Sequence, residues 1–119
     1  MLYGRGNAAD YRRWVEQYGV SEDWSYEGLL PFFQKSERFT AAIDCTQRGS
    51  MGEISVETPV KPTPVGRTFT EACGELGLPL RLEDYAAPRM HGASLGQFFT
   101  RDGLRVEGAG SFLLPIFQT

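Results

Sequence analysis

The sequence predicts a small α+β protein. Three stretches place apolar residues at helical spacing, and three shorter stretches alternate apolar and polar residues as strands do. The 119 residues are 41% hydrophobic and 23% charged, which is the composition of about one globular domain. Three helices and three short strands are too few to form a covered sheet, so we expect the chain to be part of a larger fold.

The first two predicted helices lie near the N-terminus. Helix one spans Ala8 to Tyr18, with Asn7 as its N-cap and Gly19 as its C-terminal stop. A second helix follows Ser25, and Pro31 is expected to kink it or to mark its true start. The apolar face of the first helix is expected to be buried, and it consists of Tyr11, Trp14, Val15 and Tyr18.

The clearest helical signal comes after a short strand and a proline-rich linker. The strand is predicted where Ile54 and Val56 alternate with polar residues. Thr63 then caps a third helix, Pro64 occupies its first position and Gly77 ends it. The apolar stripe of this helix consists of Val65, Phe69, Ala72, Cys73 and Leu76.

A hairpin is predicted close to the C-terminus. Residues 94–100 suit a strand, Arg101-Asp102-Gly103 suits a turn, and residues 104–106 suit a short return strand. The residues that follow are assigned to no helix or strand. The predicted inventory is therefore three helices and three short strands.

Charge and hydrophobicity exclude several classes of partner. The formal net charge is −3 and the isoelectric point is about 5.1, which argues against a nucleic-acid partner. No apolar run approaches the roughly 20 residues of a membrane span, and residues 1–10 lack the core of a signal peptide. Cys45 and Cys73 are too few for a disulfide scaffold, so we expect both to be unpaired and Cys73 to be buried.

The residues on their own suggest no catalytic or metal-binding set. His91 is the single histidine, and no second ligand or partner base stands near it in the sequence. Two acidic pairs, Asp102 with Glu107 and Glu83 with Asp84, lie in turn-like regions where solvated charge is the commoner explanation. Residues 4–6 lack the G-x-G-x-x-G spacing of a dinucleotide loop.

The order of motifs resembles that of the glucose–methanol–choline (GMC) oxidoreductase family. Members typically read M-x-Y-x-R-G-x-x-x-D-Y-x-x-W and then G-W-S-Y-x-x-L-L-P-Y-F-x-K-S-E. The matching residues here lie in residues 1–14 and 24–37, and the similarity continues at residues 52–56, 69–77 and 103–115. The chain departs from the pattern at Arg12 and Glu107, where the family often has an acidic residue and a serine.

This resemblance implies a fold, a cofactor and site residues. The chain would be an incomplete fragment of a flavoprotein with an FAD-binding and a substrate-binding domain. Residues 1–39 would form the flavin-lid and helical region. Residues 40–119 would begin the substrate-binding domain and return toward the FAD domain. The three residues that would approach the flavin are Met1, Leu2 and Tyr3, while Arg5 and Asn7 would organise the turn and the helix start.

The resemblance also implies a function. The intact parent would oxidise the CH–OH group of a small-molecule alcohol and pass a hydride to FAD. The family's glycine loop and catalytic histidine motif have no counterpart in these residues, so we expect the chain alone to lack catalytic residues and not to retain FAD. The alternative is a noncatalytic packing or interaction module. The sequence leaves open the alcohol, the electron acceptor, the compartment, and whether the parent is an oxidase or a dehydrogenase.

The chain alone is expected to be marginally stable and to associate with itself. Its aromatic side chains would belong to faces that other domains of the parent cover. These residues are Trp14, Trp24, Phe32, Phe33, Phe69 and Phe112.

Overall fold

The computed structural model describes residues 2–41, 46–59, 61–80 and 86–117. Its elements are short and include both helices and strands, as an α+β protein requires. In chain order they are α1 (Ala8–Tyr18), a 3₁₀ helix (Glu22–Trp24), α2 (Tyr26–Ser36), β1 (Glu37–Phe39), β2 (Ile54–Val56), α3 (Pro64–Glu75), β3 (Thr100–Arg101), β4 (Leu104–Arg105), a π-helix (Ala109–Leu113) and α4 (Leu114–Phe117).

The helix starts follow the predicted caps. The side chain of Asn7 accepts a hydrogen bond from the Ala9 amide at 3.1 Å, and Thr63 accepts one from Gly66 at 3.2 Å. Ser25 caps α2, which runs without a break through Pro31. Pro31 therefore does not mark the start of this helix, because the Ser25 cap already satisfies an amide of the first turn.

Two three-residue strands form a parallel pair. Glu37 lies opposite Ile54, and Phe39 lies opposite Val56. The connection between the strands passes close to the end of α2, and only glycine fits there. A Cβ atom at Gly49 would stand 1.9 Å from the carbonyl oxygen of Gln34. Gly49 and Gly52 thus allow this connection to pack closely against the end of α2.

The predicted hairpin exists, but its first strand is shorter than expected. Thr100–Arg101 pairs with Leu104–Arg105, whereas residues 94–100 were predicted to be extended throughout. Asp102 and Gly103 form the turn with φ values of 53° and 77°, as two-residue hairpins prefer. The residues before β3 form isolated bridges instead of a full strand. Phe98 makes antiparallel bridges to both Leu2 and Glu57.

The prediction of only three helices was wrong. Residues 109–117 are also helical, first as a π-helix and then as α4. Gly110 and Pro115 have poor intrinsic helix propensity, so this stretch gives no clear helical signal in the sequence. Among the described residues, no helix is long and apolar enough to cross a membrane.

The buried core is small and lies around the β1–β2 pair. It consists of Tyr3, Phe39, Val56 and Ala86, with Ile54 and Phe99 partly buried against it.

Two faces predicted to be buried are mostly exposed. On α1, Trp14 and Tyr18 are largely open to solvent. On α3, only Cys73 of the apolar stripe is buried, and its thiol is free. The prediction that Cys45 is unpaired concerns a residue outside the described ranges. The helix periodicity was correct, but the surface that would cover these faces does not come from the described residues.

Candidate functional site

The predicted flavin-side residues lie at an edge of the small sheet. Met1 is outside the described residues. Leu2 bridges Phe98 in antiparallel fashion, and the Tyr3 amide donates a hydrogen bond to the carbonyl oxygen of Gln97 at 2.8 Å. The Leu2 side chain is about half exposed, whereas that of Tyr3 is buried with its ring edge-on to Phe99. Leu2 therefore presents an apolar side chain at the surface, whereas Tyr3 as a whole is only 7% exposed.

The Tyr3 hydroxyl contacts a buried ion pair. The Arg5 Nε donates to the Tyr3 hydroxyl at 2.9 Å, and the other end of the guanidinium forms an ion pair with Glu37. The side chains of Arg5 and Glu37 are each only 1% exposed. Arg5 also donates to the carbonyl oxygen of Gln47 at 2.6 Å. Arg5 does more than the turn-organising role expected for it, since it links the N-terminal segment to the end of α2.

A second arginine completes this arrangement. Arg48 Nε lies 3.1 Å from Glu37 Oε1, and Arg48 Nη1 donates to Gln97 Oε1 at 3.0 Å. The Arg48 guanidinium also lies over the rings of Phe39 and Tyr3, at 4.1 and 5.0 Å from their centroids. We call Arg5, Glu37 and Arg48 the charge cluster.

The charge cluster is buried. It places two guanidinium groups around one carboxylate, and burying ions is costly unless they are paired and hydrogen-bonded. Glu37 Oε1 accepts hydrogen bonds from Arg5 and from the Gly49 amide. Within the described part of the chain, Glu37 Oε2 has no hydrogen-bond partner although it is buried.

The cluster shifts the ionisation of the groups around it. Burial, together with the nearby Glu37 carboxylate, raises the pKa of Tyr3 to about 12, although Arg5 acts in the opposite direction. Burial alone lowers the pKa of Arg5, but the contacts with Tyr3 and Glu37 raise it overall. Tyr3 is therefore a protonated, hydrogen-bonding phenol at neutral pH and not a base.

The other candidate residues lie away from this cluster. Asn7 caps α1 as predicted, and the Tyr11 hydroxyl donates to the Arg5 carbonyl oxygen. His91 is exposed. Asp102 and Glu107 are exposed and border a cavity of about 370 Å³ beside the hairpin.

Glu83 and Asp84 lie outside the described residues. In the ranges that the structure describes, no group of three or more His, Cys, Asp or Glu side chains could hold a metal ion.

Sequence reasoning missed three members of this site. Glu37 ends the K-S-E motif but gave no sign of being buried, because a glutamate is almost never fully buried unless it is paired. Arg48 lies in a segment for which the sequence predicts no helix or strand. Gln97 lies within the stretch 94–100 that was predicted to be a strand. Only the pairing of distant segments reveals their role, and no local pattern encodes that pairing.

Comparison with known proteins identifies the family. The profile described as GMC oxidoreductase matches residues 1–119. The chain therefore belongs to the GMC oxidoreductase family. This confirms the resemblance seen in the sequence motifs.

The individual relatives are oxidoreductases of much greater length. The chain is 37% identical over 115 residues to oxygen-dependent choline dehydrogenase of Chromohalobacter salexigens, covering 95% of this chain and 20% of that protein. It is similar to the crystal structure of pyridoxine 4-oxidase from Mesorbium loti, with a TM-score of 0.87 and 33% identity over 98% of this chain and 22% of the other. An FAD-dependent oxidoreductase from Chaetomium thermophilum gives a TM-score of 0.62 and 30% identity, covering 74% and 16%. The chain thus spans about a fifth of the length of these proteins.

Proposed function

We propose that the chain is part of an FAD-dependent oxidoreductase that oxidises the CH–OH group of a small-molecule alcohol. Residues 1–39 would form the flavin-lid and helical region. Residues 40–119 would begin the substrate-binding domain and return toward the FAD domain. The two domains of such a flavoprotein would together enclose the cofactor and the alcohol.

The observation that supports this proposal most strongly is the agreement of backbones. A TM-score of 0.87 extends over 98% of the chain, with 33% identity to a pyridoxine oxidase. A second neighbour with 30% identity has FAD dependence in its name. We infer the function of this chain from its similarity to these proteins. The residues proposed to face the flavin must then have a geometry that is compatible with it.

The edge formed by Leu2 and Tyr3 is compatible with that role. When bound, FAD would supply the ring system that accepts the hydride. Met1, Leu2 and Tyr3 would lie on the flavin side. The half-exposed Leu2 would give an apolar surface, while the buried Tyr3 would hold Leu2 in place through its hydrogen bond to Gln97.

The surface of the chain also supports a role within a larger protein. Its accessible area is 8269 Å², whereas a compact monomer of 13.3 kDa has about 6,500 Å². The radius of gyration is 16.2 Å, compared with about 13–14 Å for a compact domain of this length. The exposed side chains include most of the aromatic residues singled out above. These features favour a part of an enzyme over a self-sufficient interaction module.

A chimera tests the proposal directly. The segment of pyridoxine 4-oxidase that aligns with this chain is replaced by residues 1–119, and the purified chimera is examined for visible flavin absorbance. We expect FAD to be retained in about one equivalent. A folded chimera without flavin would contradict the proposal.

Matched variants of the chimera test the flavin-side assignment. Leu2→Asp places a negative charge on the proposed apolar surface and should weaken flavin retention at least about tenfold. Leu104→Asp makes the same change at an exposed leucine of β4 and should leave flavin retention unchanged. Equal behaviour of the two variants would remove Leu2 from the flavin side.

The reading frame provides an independent test. We expect the genomic frame to extend upstream into a strand, a G-x-G-x-x-G turn and a helix, the unit that would hold the pyrophosphate of FAD. A frame that lacks this unit would favour the interaction module.

A further inference from the structure

We propose that the charge cluster of Arg5, Glu37 and Arg48 is a positioning device, which fixes where the Leu2–Tyr3 edge lies. Its relevance to a flavin rests on the proposed function above. Its effect on Tyr3 does not, and can be measured in the protein whether or not a flavin is bound.

The contacts around Tyr3 form a closed ring. The Tyr3 hydroxyl accepts from Arg5, Arg5 pairs with Glu37, and Glu37 pairs with Arg48. Arg48 then donates to the Gln97 side chain, and the Gln97 carbonyl oxygen accepts from the Tyr3 amide. Both the side chain and the backbone of Tyr3 are therefore held by the same ring of contacts.

This ring joins distant parts of the chain. Its members come from the N-terminal segment, from the start of β1, from the connection between β1 and β2, and from the segment before β3. Tyr3, Arg5, Glu37 and Gln97 are all at most 7% exposed. Since a displacement of any member in so tight an environment must move its neighbours, the position of Tyr3 depends on Glu37 and Arg48.

The contribution of the charge cluster to the stability of the fold does not by itself explain its presence. Replacing a buried ion pair by well-packed apolar side chains is often neutral or stabilising, so a buried ion cluster is weak evidence for a stabilising role. Here Glu37 Oε2 is buried without a hydrogen bond among the described residues, which adds a further cost. The β1–β2 pair has only three residues in each strand and so has little register of its own. Directional charged contacts at one end of this pair specify a geometry that apolar packing would leave loose.

Amide hydrogen exchange, measured in the full-length protein that the gene encodes, tests the proposal. In Glu37→Gln, we expect the Tyr3 amide to exchange at least about tenfold faster than in the unsubstituted protein. The Leu29 amide, which donates to the Ser25 carbonyl oxygen at 3.0 Å in α2, serves as the reporter of general opening and should keep its rate. Glu22→Gln makes the same change in the exposed Arg12–Glu22 pair and should alter neither amide.

Two results would overturn the proposal: an unchanged Tyr3 rate, or equal acceleration of Tyr3 and Leu29, which is the signature of a merely structural role. If Glu37→Gln does not fold, Arg48→Lys replaces it. This variant keeps the positive charge but lacks the planar fork that reaches both Glu37 and Gln97, so the selective acceleration at Tyr3 is expected again.

The flavin signal separates this proposal from the proposed function. With flavin bound, Glu37→Gln should change its visible circular dichroism while Glu22→Gln does not. An unchanged signal together with faster Tyr3 exchange would show that the positioning does not reach the flavin. Absence of flavin from the unsubstituted protein would contradict the proposed function, and the exchange rates would still decide the role of the cluster.

Discussion

The region around β1 and β2 differs sharply from the region formed by α3 and the C-terminal helices. In the first region even charged side chains are buried, as Arg5 and Glu37 show. In the second, apolar side chains such as Phe69, Leu76 and Phe117 are mostly exposed. Burial in this chain therefore does not follow the hydrophobicity of the residues alone.

This difference shows which region the described residues bury by themselves and which region they leave exposed. The first region brings four segments together through buried ion pairs and hydrogen bonds. The second has the correct helical periodicity but no facing element among the described residues. The total accessible area exceeds that of a compact monomer by about 1,800 Å², which is more than the roughly 800 Å² that one partner buries in a standard protein interface. The second region thus has the character of an interface, and the first that of a core.

The largest expected effect is the loss of Glu37. Glu37→Ala removes the buried carboxylate with which Arg5 and Arg48 pair, which should destabilise the fold by about 3–5 kcal/mol. That is enough to unfold a marginal domain of this size. Near-ultraviolet circular dichroism in a urea titration would measure the loss.

The control for this prediction is Glu22→Ala. It removes an exposed partner of Arg12 and should cost at most about 1 kcal/mol. Similar effects at Glu37 and Glu22 would mean that the first region is not the core described here.

A smaller effect is expected at high pH. Because the pKa of Tyr3 is raised to about 12 from 10, its stabilising contribution is complete below pH 10 and is lost as the pH rises toward 12. The loss should approach roughly 2–3 kcal/mol. Urea titrations between pH 9 and about 12 would measure it, with Tyr3→Phe as the control. The contribution of Tyr3 is contradicted if the variant loses stability over the same interval to the same extent.

The contrast between the regions also explains what the sequence could and could not predict. Helix caps are local signals: the caps Asn7 and Thr63 were predicted correctly, and α2 does follow Ser25 as predicted. The family was predicted from motif order, which is also a property of the sequence alone. Burial of Glu37 and exposure of Phe69 depend on which distant segments meet, and helical periodicity is the same whether or not a partner covers the face.

Loss of a helix cap should have an intermediate effect that separates the two regions. Asn7→Ala and Thr63→Ala should each cost about 1 kcal/mol in the helix concerned. α1 is tied to the first region by the Tyr11 hydroxyl and the Arg5 carbonyl oxygen, so Asn7→Ala should lower the main unfolding transition. Thr63→Ala should mainly increase local exchange of α3 amides. Equal shifts of the main transition would show that both regions unfold as one unit.

The smallest expected effect on stability comes from the exposed aromatic residues. Phe69→Ala should change the free energy of unfolding by no more than about 0.5 kcal/mol, because 65% of the Phe69 side chain is already in water. The same change at the buried Phe39 should cost about 3–5 kcal/mol. Phe69→Ala should nevertheless reduce apolar-dye binding and self-association of the 119-residue chain, since exposed apolar patches drive both. Calorimetry and sedimentation at low concentration would measure these effects. A monomer with one sharp transition, no dye binding and equal losses at Phe69 and Phe39 would show that α3 is covered after all. The chain would then be a self-sufficient domain, and the interaction module would be the better explanation of its function.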